Sequence, residues 1–158
     1  MTGDVAKRFG AAGAGRPASP AASAAPGVVH IDCVWPAANA RPSVNTVVSI
    51  HPNGFPPDTG DGNAQRLFES LREDAASADS ASSAVRAQAT DWGPAFVVAN
   101  SSLDILTQNT LVANVVITVV VRDRDRFSDD VGVERDDLLR RLGPVALTLT
   151  GEVVDDLR

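Results

Sequence analysis

The stretch TLVANVVITVVVRDRDRF, residues 110–127, decides the fold, because a long apolar run in it ends abruptly in alternating charges. If residues 111–121 form a single strand, successive side chains alternate between the two faces of a sheet, and both faces are mostly apolar. At about 3.3 Å per residue such a strand extends roughly 36 Å. Both faces must then be covered, so we expect a helix layer on one face and a second sheet or another subunit on the other.

The charges that follow this run have two interpretations. If the strand continues through RDRDR, Arg122, Arg124 and Arg126 face one way and the two aspartates between them face the other. A hairpin arm of that kind would dock on a neighbouring subunit in an electrostatic register. If the strand instead ends at Val121, RDRDR is a solvated turn.

The same stretch and two tryptophans next to turns are predicted to contact other protein subunits. Tryptophan is a common interface anchor because it combines a large apolar surface with one N–H donor. The residues predicted to form the interface are Val116, Val120, Arg122, Arg124, Arg126, Trp35 and Trp92.

The composition predicts one domain with an aliphatic core. The chain has 158 residues, of which 44% are hydrophobic and only 4% aromatic, with no tyrosine. This length supports one well-formed core but not two. The net charge of −6 argues against a nucleic-acid surface, which would need a basic balance.

Residues 1–27 differ in composition from the rest of the chain. They consist mostly of Ala, Gly, Pro and Ser, which cannot bury enough surface to offset chain entropy, so we predict a flexible arm here and a single α+β domain over 28–158. A transit segment is the alternative for the arm, since it holds one acid and three basic residues. The arm lacks the apolar centre of a secretory signal, and no run approaches the ~20 apolar residues of a membrane helix. We therefore expect a soluble protein of the cytoplasm or a virion.

The remaining sequence predicts a mostly antiparallel sheet of five or six strands with two helices. One long helix is predicted over 64–90, capped by Asn63, with a break near 77–83 as the alternative. A short helix is predicted over 133–142, ended by Gly143 and Pro144. Strands are predicted at 28–35, 43–50, 95–99, 103–107, 111–121 and, from the alternation in VALTLTGEVV, 145–154.

One candidate metal site exists in the sequence. His30 and Asp32 are two apart on a predicted strand and so share a face, and His51 could complete a site of two histidines and one carboxylate, as in non-haem iron proteins. The H-x-D…H spacing is not specific. The single cysteine, Cys33, is predicted to be a small buried residue without a disulfide.

These observations favour a non-catalytic structural or assembly subunit. We predict no catalytic residues, cofactor, nucleic-acid partner or membrane partner, and an association with other subunits as a homo-oligomer or hetero-assembly. A phage or virus particle component (a decoration, connector or tail protein) is the form of assembly that this composition favours. The alternative is a small metal- or ligand-binding enzyme with its site near His30, Asp32 and His51.

Overall fold

A computed structural model gives the architecture of the chain. The residues that it describes are Lys7, 15–17, 27–35, 43–53, 59–78, 83–122 and 135–158. Within these residues the protein has one antiparallel sheet and two helices, which confirms the predicted α+β class. No helix in these ranges is long and apolar enough to cross a membrane.

The sheet contains six full strands and one two-residue strand. Its spatial order is β1-β2-β3-β7-β6-β5-β4, and every neighbouring pair is antiparallel. The strands are β1 (Arg16–Pro17), β2 (Val29–Trp35), β3 (Ser43–Ile50), β4 (Ser83–Gln88), β5 (Ala95–Asn100), β6 (Ile105–Val112) and β7 (Val115–Arg122). The short β1 belongs to the segment predicted as a flexible arm, so at least these two residues of it join the sheet.

The apolar run over residues 111–121 belongs to two strands and not to one. The chain turns at Ala113 and Asn114, and Val112 pairs with Val115 across the turn. Ala113 has a φ of 51°, the left-handed conformation that two-residue hairpin turns require at their first central position. The prediction of a single long strand over 111–121 is therefore wrong. The strand β7 ends at Arg122, and residues 123–130 lie outside the described part of the chain.

The first helix, α1 (Gly60–Ser77), begins earlier and ends earlier than predicted. The predicted cap, Asn63, lies inside the helix, and Thr59 is the cap, since its Oγ1 accepts a hydrogen bond of 3.1 Å from the Gly62 N–H. The second half of the predicted helix forms β4 instead. The helix ends at Ser77, within the range 77–83 where a break was predicted as the alternative.

The second helix, α2 (Arg135–Asp156), is long, and it replaces the short helix and final strand that were predicted. Pro144 lies inside it, on an exposed position. A proline in a helix interior costs about 3 kcal/mol. Burial of the apolar side chains that recur at helical spacing offsets this cost: these are Leu138, Leu142, Ala146, Leu149 and Val153.

Each face of the sheet is covered by a helix from the same chain. The α2 face of the sheet, which includes Val48, Leu106 and Ile117, packs against α2. The α1 face, which includes Phe96, Leu111 and Val116, packs against α1. The expectation that one face needs a second sheet or another subunit is therefore wrong, because α1 and α2 lie on opposite sides.

Candidate functional site

The candidate metal residues lie on one face of the sheet, at one edge. His30 and Asp32 stand opposite Ser49 and Val47 of β3, which confirms that these two residues share a face. His51 comes directly after β3, two residues beyond Ser49, and so lies on the same face of the sheet as Ser49. In the described ranges, however, no group of three His, Cys, Asp or Glu side chains could hold a metal ion.

The two histidines have different surroundings. His30 is exposed, and its Nδ1 lies 3.0 Å from the Ser49 Oγ. His51 is only 7% exposed, and burial, with a smaller contribution from the charge of His30, lowers the pKa of its imidazole. Its Nε2 is buried without a hydrogen-bond partner. His51 is therefore neutral at neutral pH, since its pKa lies below the ordinary value for histidine.

The backbone of His51 ties three elements together. Its N–H donates to the Asn114 carbonyl at 2.9 Å, and the Asn114 Nδ2 donates to the His51 carbonyl at 2.9 Å. Gly60, the first residue of α1, lies so close that a Cβ there would be 2.1 Å from the His51 carbonyl oxygen. These contacts give His51 a structural role at the junction of β3, the β6–β7 turn and α1.

Several residues predicted to contact a partner are buried within the chain instead. Val116 is 1% exposed because α1 covers it, and Trp35 is 8% exposed in the core beneath the α2 face. Trp92 is half-buried against α2, where a Cβ on Gly151 would come within 2.8 Å of its ring. The large apolar surfaces of Val116 and Trp35 are therefore used inside the fold, and the interface assigned to these residues stays a prediction.

The other predicted interface residues lie at the end of β7 and beyond it. Val120 is half-buried on the α1 face, and Arg122 is exposed. Arg124 and Arg126 lie outside the described residues. Cys33, predicted to be buried, is free and half-buried.

The feature that sequence analysis missed is the exposed edge of β2. Within the described chain, β1 pairs only with Cys33 and Val34, so the outer side of residues 29–32 has no strand beside it. Val29 and Ile31 point to the α2 face, yet their side chains are 52% and 43% exposed. Helix α2 packs mainly on β5, β6 and β7, which lie on the far side of β3 from this edge. We call residues 29–32 the β2 edge.

The β2 edge also carries polar groups with unused hydrogen-bonding capacity. When Ser49 donates to Nδ1 of His30, the Nε2 of that imidazole carries the proton and is available as a donor. One carboxylate oxygen of Asp32, Oδ1, is buried without a hydrogen-bond partner. The edge thus has an imidazole and a carboxylate on one face and two aliphatic side chains on the other.

These features define an antiparallel α+β sheet domain with one helix on each face and an apolar edge strand. In comparisons with known proteins, no family model, curated protein or solved structure matches the chain.

Proposed function

We propose that this protein is a non-catalytic assembly subunit that associates with a second copy of itself through the β2 edge. The observation that carries the proposal is the exposure of Val29 and Ile31 on a strand whose outer side is open in the described chain. An open, apolar edge strand is a template for pairing with another strand. Sheets that do not associate often protect such edges with charges, prolines or bulges. On its α2 face this edge instead presents two aliphatic side chains, Val29 and Ile31.

A second copy fits this edge in one antiparallel register. A two-fold axis at Ile31 places that residue opposite Ile31 of the second copy, and it places His30 opposite Asp32 twice. Ile31 then gains an aliphatic neighbour on the α2 face. On the α1 face, each His30 imidazole then lies opposite an Asp32 carboxylate. One antiparallel register therefore brings the polar side chains of the two copies together on one face and their aliphatic side chains together on the other.

The absence of a catalytic centre and the identity of the larger assembly stay predictions. A phage or virus particle component remains the form of assembly that the composition favours.

The proposal is tested by measuring mass in solution over a concentration series by light scattering and sedimentation. A short strand pair buries little area, so association will be weak and will depend on concentration. We expect the wild type to form dimers or larger species, and Ile31→Lys to remain at the 16.4 kDa of one chain. Leu103→Lys is the matched control, because Leu103 is 56% exposed but lies in a turn away from the β2 edge.

The register has a separate test. An Ile31→Cys variant in a Cys33→Ser background should form an intermolecular disulfide under mild oxidation, because opposite Cβ atoms in paired strands lie about 4.5–5.5 Å apart and need to approach by only about 1 Å to reach disulfide geometry. A wild type that stays monomeric at every concentration would refute the proposal. Equal behaviour of the Ile31 and Leu103 variants would show that the β2 edge is not the contact.

A further inference from the structure

A second surface lies at the opposite edge of the sheet, between strand β4 and helix α2. A cleft of about 370 Å³ opens there. Its apolar wall comes from Val97 of β5 and from Leu139, Pro144 and Leu147 of α2, and Arg86 and Gln88 of β4 line the other side. A volume of this size falls in the range of sites that accept small ligands or side chains.

The cleft runs beside an open strand edge. Within the described chain β4 pairs with β5 alone, so one side of its backbone is unpaired. Arg86 stands opposite Val97 and Gln88 opposite Ala95, which places both β4 side chains on the face that carries the cleft. A strand added to β4 would therefore turn every second side chain toward α2 and into the cleft.

The polar groups of the cleft indicate the charge of its occupant. Of its three charged side chains, Arg86, Asp136 and Arg140, two are cationic. Arg86 pairs with Asp136 at 2.5 Å, and Arg140, whose side chain is 76% exposed at the rim, shares the carboxylate of Asp137 with Arg141. Gln88 also lies on this face, with its Oε1 buried and without a hydrogen-bond donor in the described chain. An acidic side chain beside Arg140 complements the two arginines of the cleft.

A second copy of β4 complements this edge poorly. In an antiparallel two-fold pairing centred on Val85, Arg86 or Ala87, the arginines of the two copies lie directly opposite or diagonally adjacent on one face. Like charges at these positions destabilise a strand pair. The β2 edge, with its His30 and Asp32, has no such conflict.

We propose that β4 and the α2 cleft bind an extended segment of another protein by strand addition, with an apolar side chain in the cleft and an acidic side chain beside Arg86 and Arg140. This site is independent of the β2 edge, since β2 and β4 lie on opposite sides of the sheet. The protein would then join two different contacts, one to its own copy and one to a partner with an acidic, alternating segment.

The proposal is tested with short labelled peptides and fluorescence anisotropy. The first peptide, TLTETLTE, presents leucine and glutamate on one face of a strand. Its charge-reversed control is TLTKTLTK. A third peptide, TLPEPLTE, replaces two threonines by prolines, which cannot donate backbone hydrogen bonds to a strand edge. We expect only TLTETLTE to bind the wild-type protein.

Two protein variants separate binding from folding. Arg140→Glu changes an exposed side chain and should weaken binding of TLTETLTE about tenfold, while improving binding of TLTKTLTK. Gly143→Leu fills the cleft, since a Cβ at Gly143 has no atom within 4 Å, and leucine favours the helix more than glycine does. Gly143→Leu should remain as stable as the wild type and lose peptide binding.

The outcomes that overturn the proposal are distinct from those of the β2 edge. Failure of TLTETLTE to bind, or equal binding of the lysine peptide, would refute the acidic partner. Equal binding of the proline peptide would refute strand addition and leave an ordinary apolar pocket. Ile31→Lys should bind TLTETLTE as the wild type does, and Arg140→Glu should self-associate as the wild type does, so that failure of either proposal leaves the other standing.

Discussion

The buried amide of Gln108 gives the sharpest test of how this core is built. Gln108 lies on β6 beneath α2 and has no exposed surface. Its Nε2 donates to the Thr150 Oγ1 at 3.1 Å and to the Thr110 Oγ1 at 3.3 Å, but its Oε1 is buried with no donor. The Thr150 hydroxyl in turn donates to the Ala146 carbonyl at 2.9 Å.

The magnitude of the effect follows from these contacts. An unsatisfied buried acceptor costs about 1–3 kcal/mol, whereas each intact hydrogen bond contributes a net ~1 kcal/mol. The double variant Gln108→Met/Thr110→Val removes the unsatisfied Oε1 of Gln108. It also removes both the donor and the acceptor of the 3.3 Å bond between Gln108 and Thr110, and it keeps the side-chain volumes similar. The Thr150 hydroxyl keeps its bond to Ala146. We therefore expect the double variant to be more stable than the wild type by about 1 kcal/mol.

We expect the stability to fall when only Thr150, the hydrogen-bond partner of Gln108, is changed. Thr150→Val takes away the nearer acceptor of the Gln108 amide and leaves a second unpaired group in the core, at a cost of about 1–2 kcal/mol. Urea denaturation followed by circular dichroism measures both changes, provided that the m-value is unchanged. In a domain of this size 1 kcal/mol corresponds to roughly 2–4 °C in Tm. Destabilisation of the double variant at constant m-value would refute the reasoning, because it would show that the Oε1 of Gln108 is satisfied.

Three further predictions concern single positions. Ala113→Gly should stabilise the protein by about 1 kcal/mol in thermal unfolding, because Ala113 has a φ of 51°; a lower Tm would contradict this. Gly151→Ala should destabilise it by about 1–3 kcal/mol and alter the near-ultraviolet spectrum, because the new methyl group would lie 2.8 Å from the Trp92 ring; an unchanged spectrum would count against this packing. The pKa of Asp137 is lowered chiefly by its hydrogen bond from Arg141, so Asp137 stabilises the fold above its unfolded pKa near 4 and loses this effect as pH falls through the lowered pKa. Asp137→Asn should therefore reduce the pH dependence of the urea midpoint below about pH 4. A pH profile equal to that of the wild type would refute this contribution.

Some strands could be predicted because local sequence and final environment agree. The strand β3 has the predicted bounds, Ser43–Ile50, and β2 begins one residue from its predicted start. The turn between β6 and β7 could not be predicted in this way. Ala113 and Asn114 lack the glycine that usually marks a two-residue hairpin, so the apolar run read as continuous.

The candidate site shows the same division. The shared face of His30 and Asp32 followed from the two-residue period of a strand. The exposure of Val29 and Ile31 did not, because it depends on where α2 stops along the sheet. The cleft beside β4 could not be predicted either, since residues 83–88 were predicted to be part of a helix.

The sequence by itself determined that the protein is an α+β domain, because its β-branched runs and its helix-forming stretch differ in period and composition over short distances. Only the tertiary structure decided the fate of residues 135–156, where valine, threonine and Pro144 favour a strand or a break locally. Those residues became one helix because the α2 face of the sheet buries a stripe of side chains at helical spacing, and that burial outweighs the local preference. The position of this one helix leaves Val29 and Ile31 exposed at one side of the sheet and forms one wall of the cleft at the other.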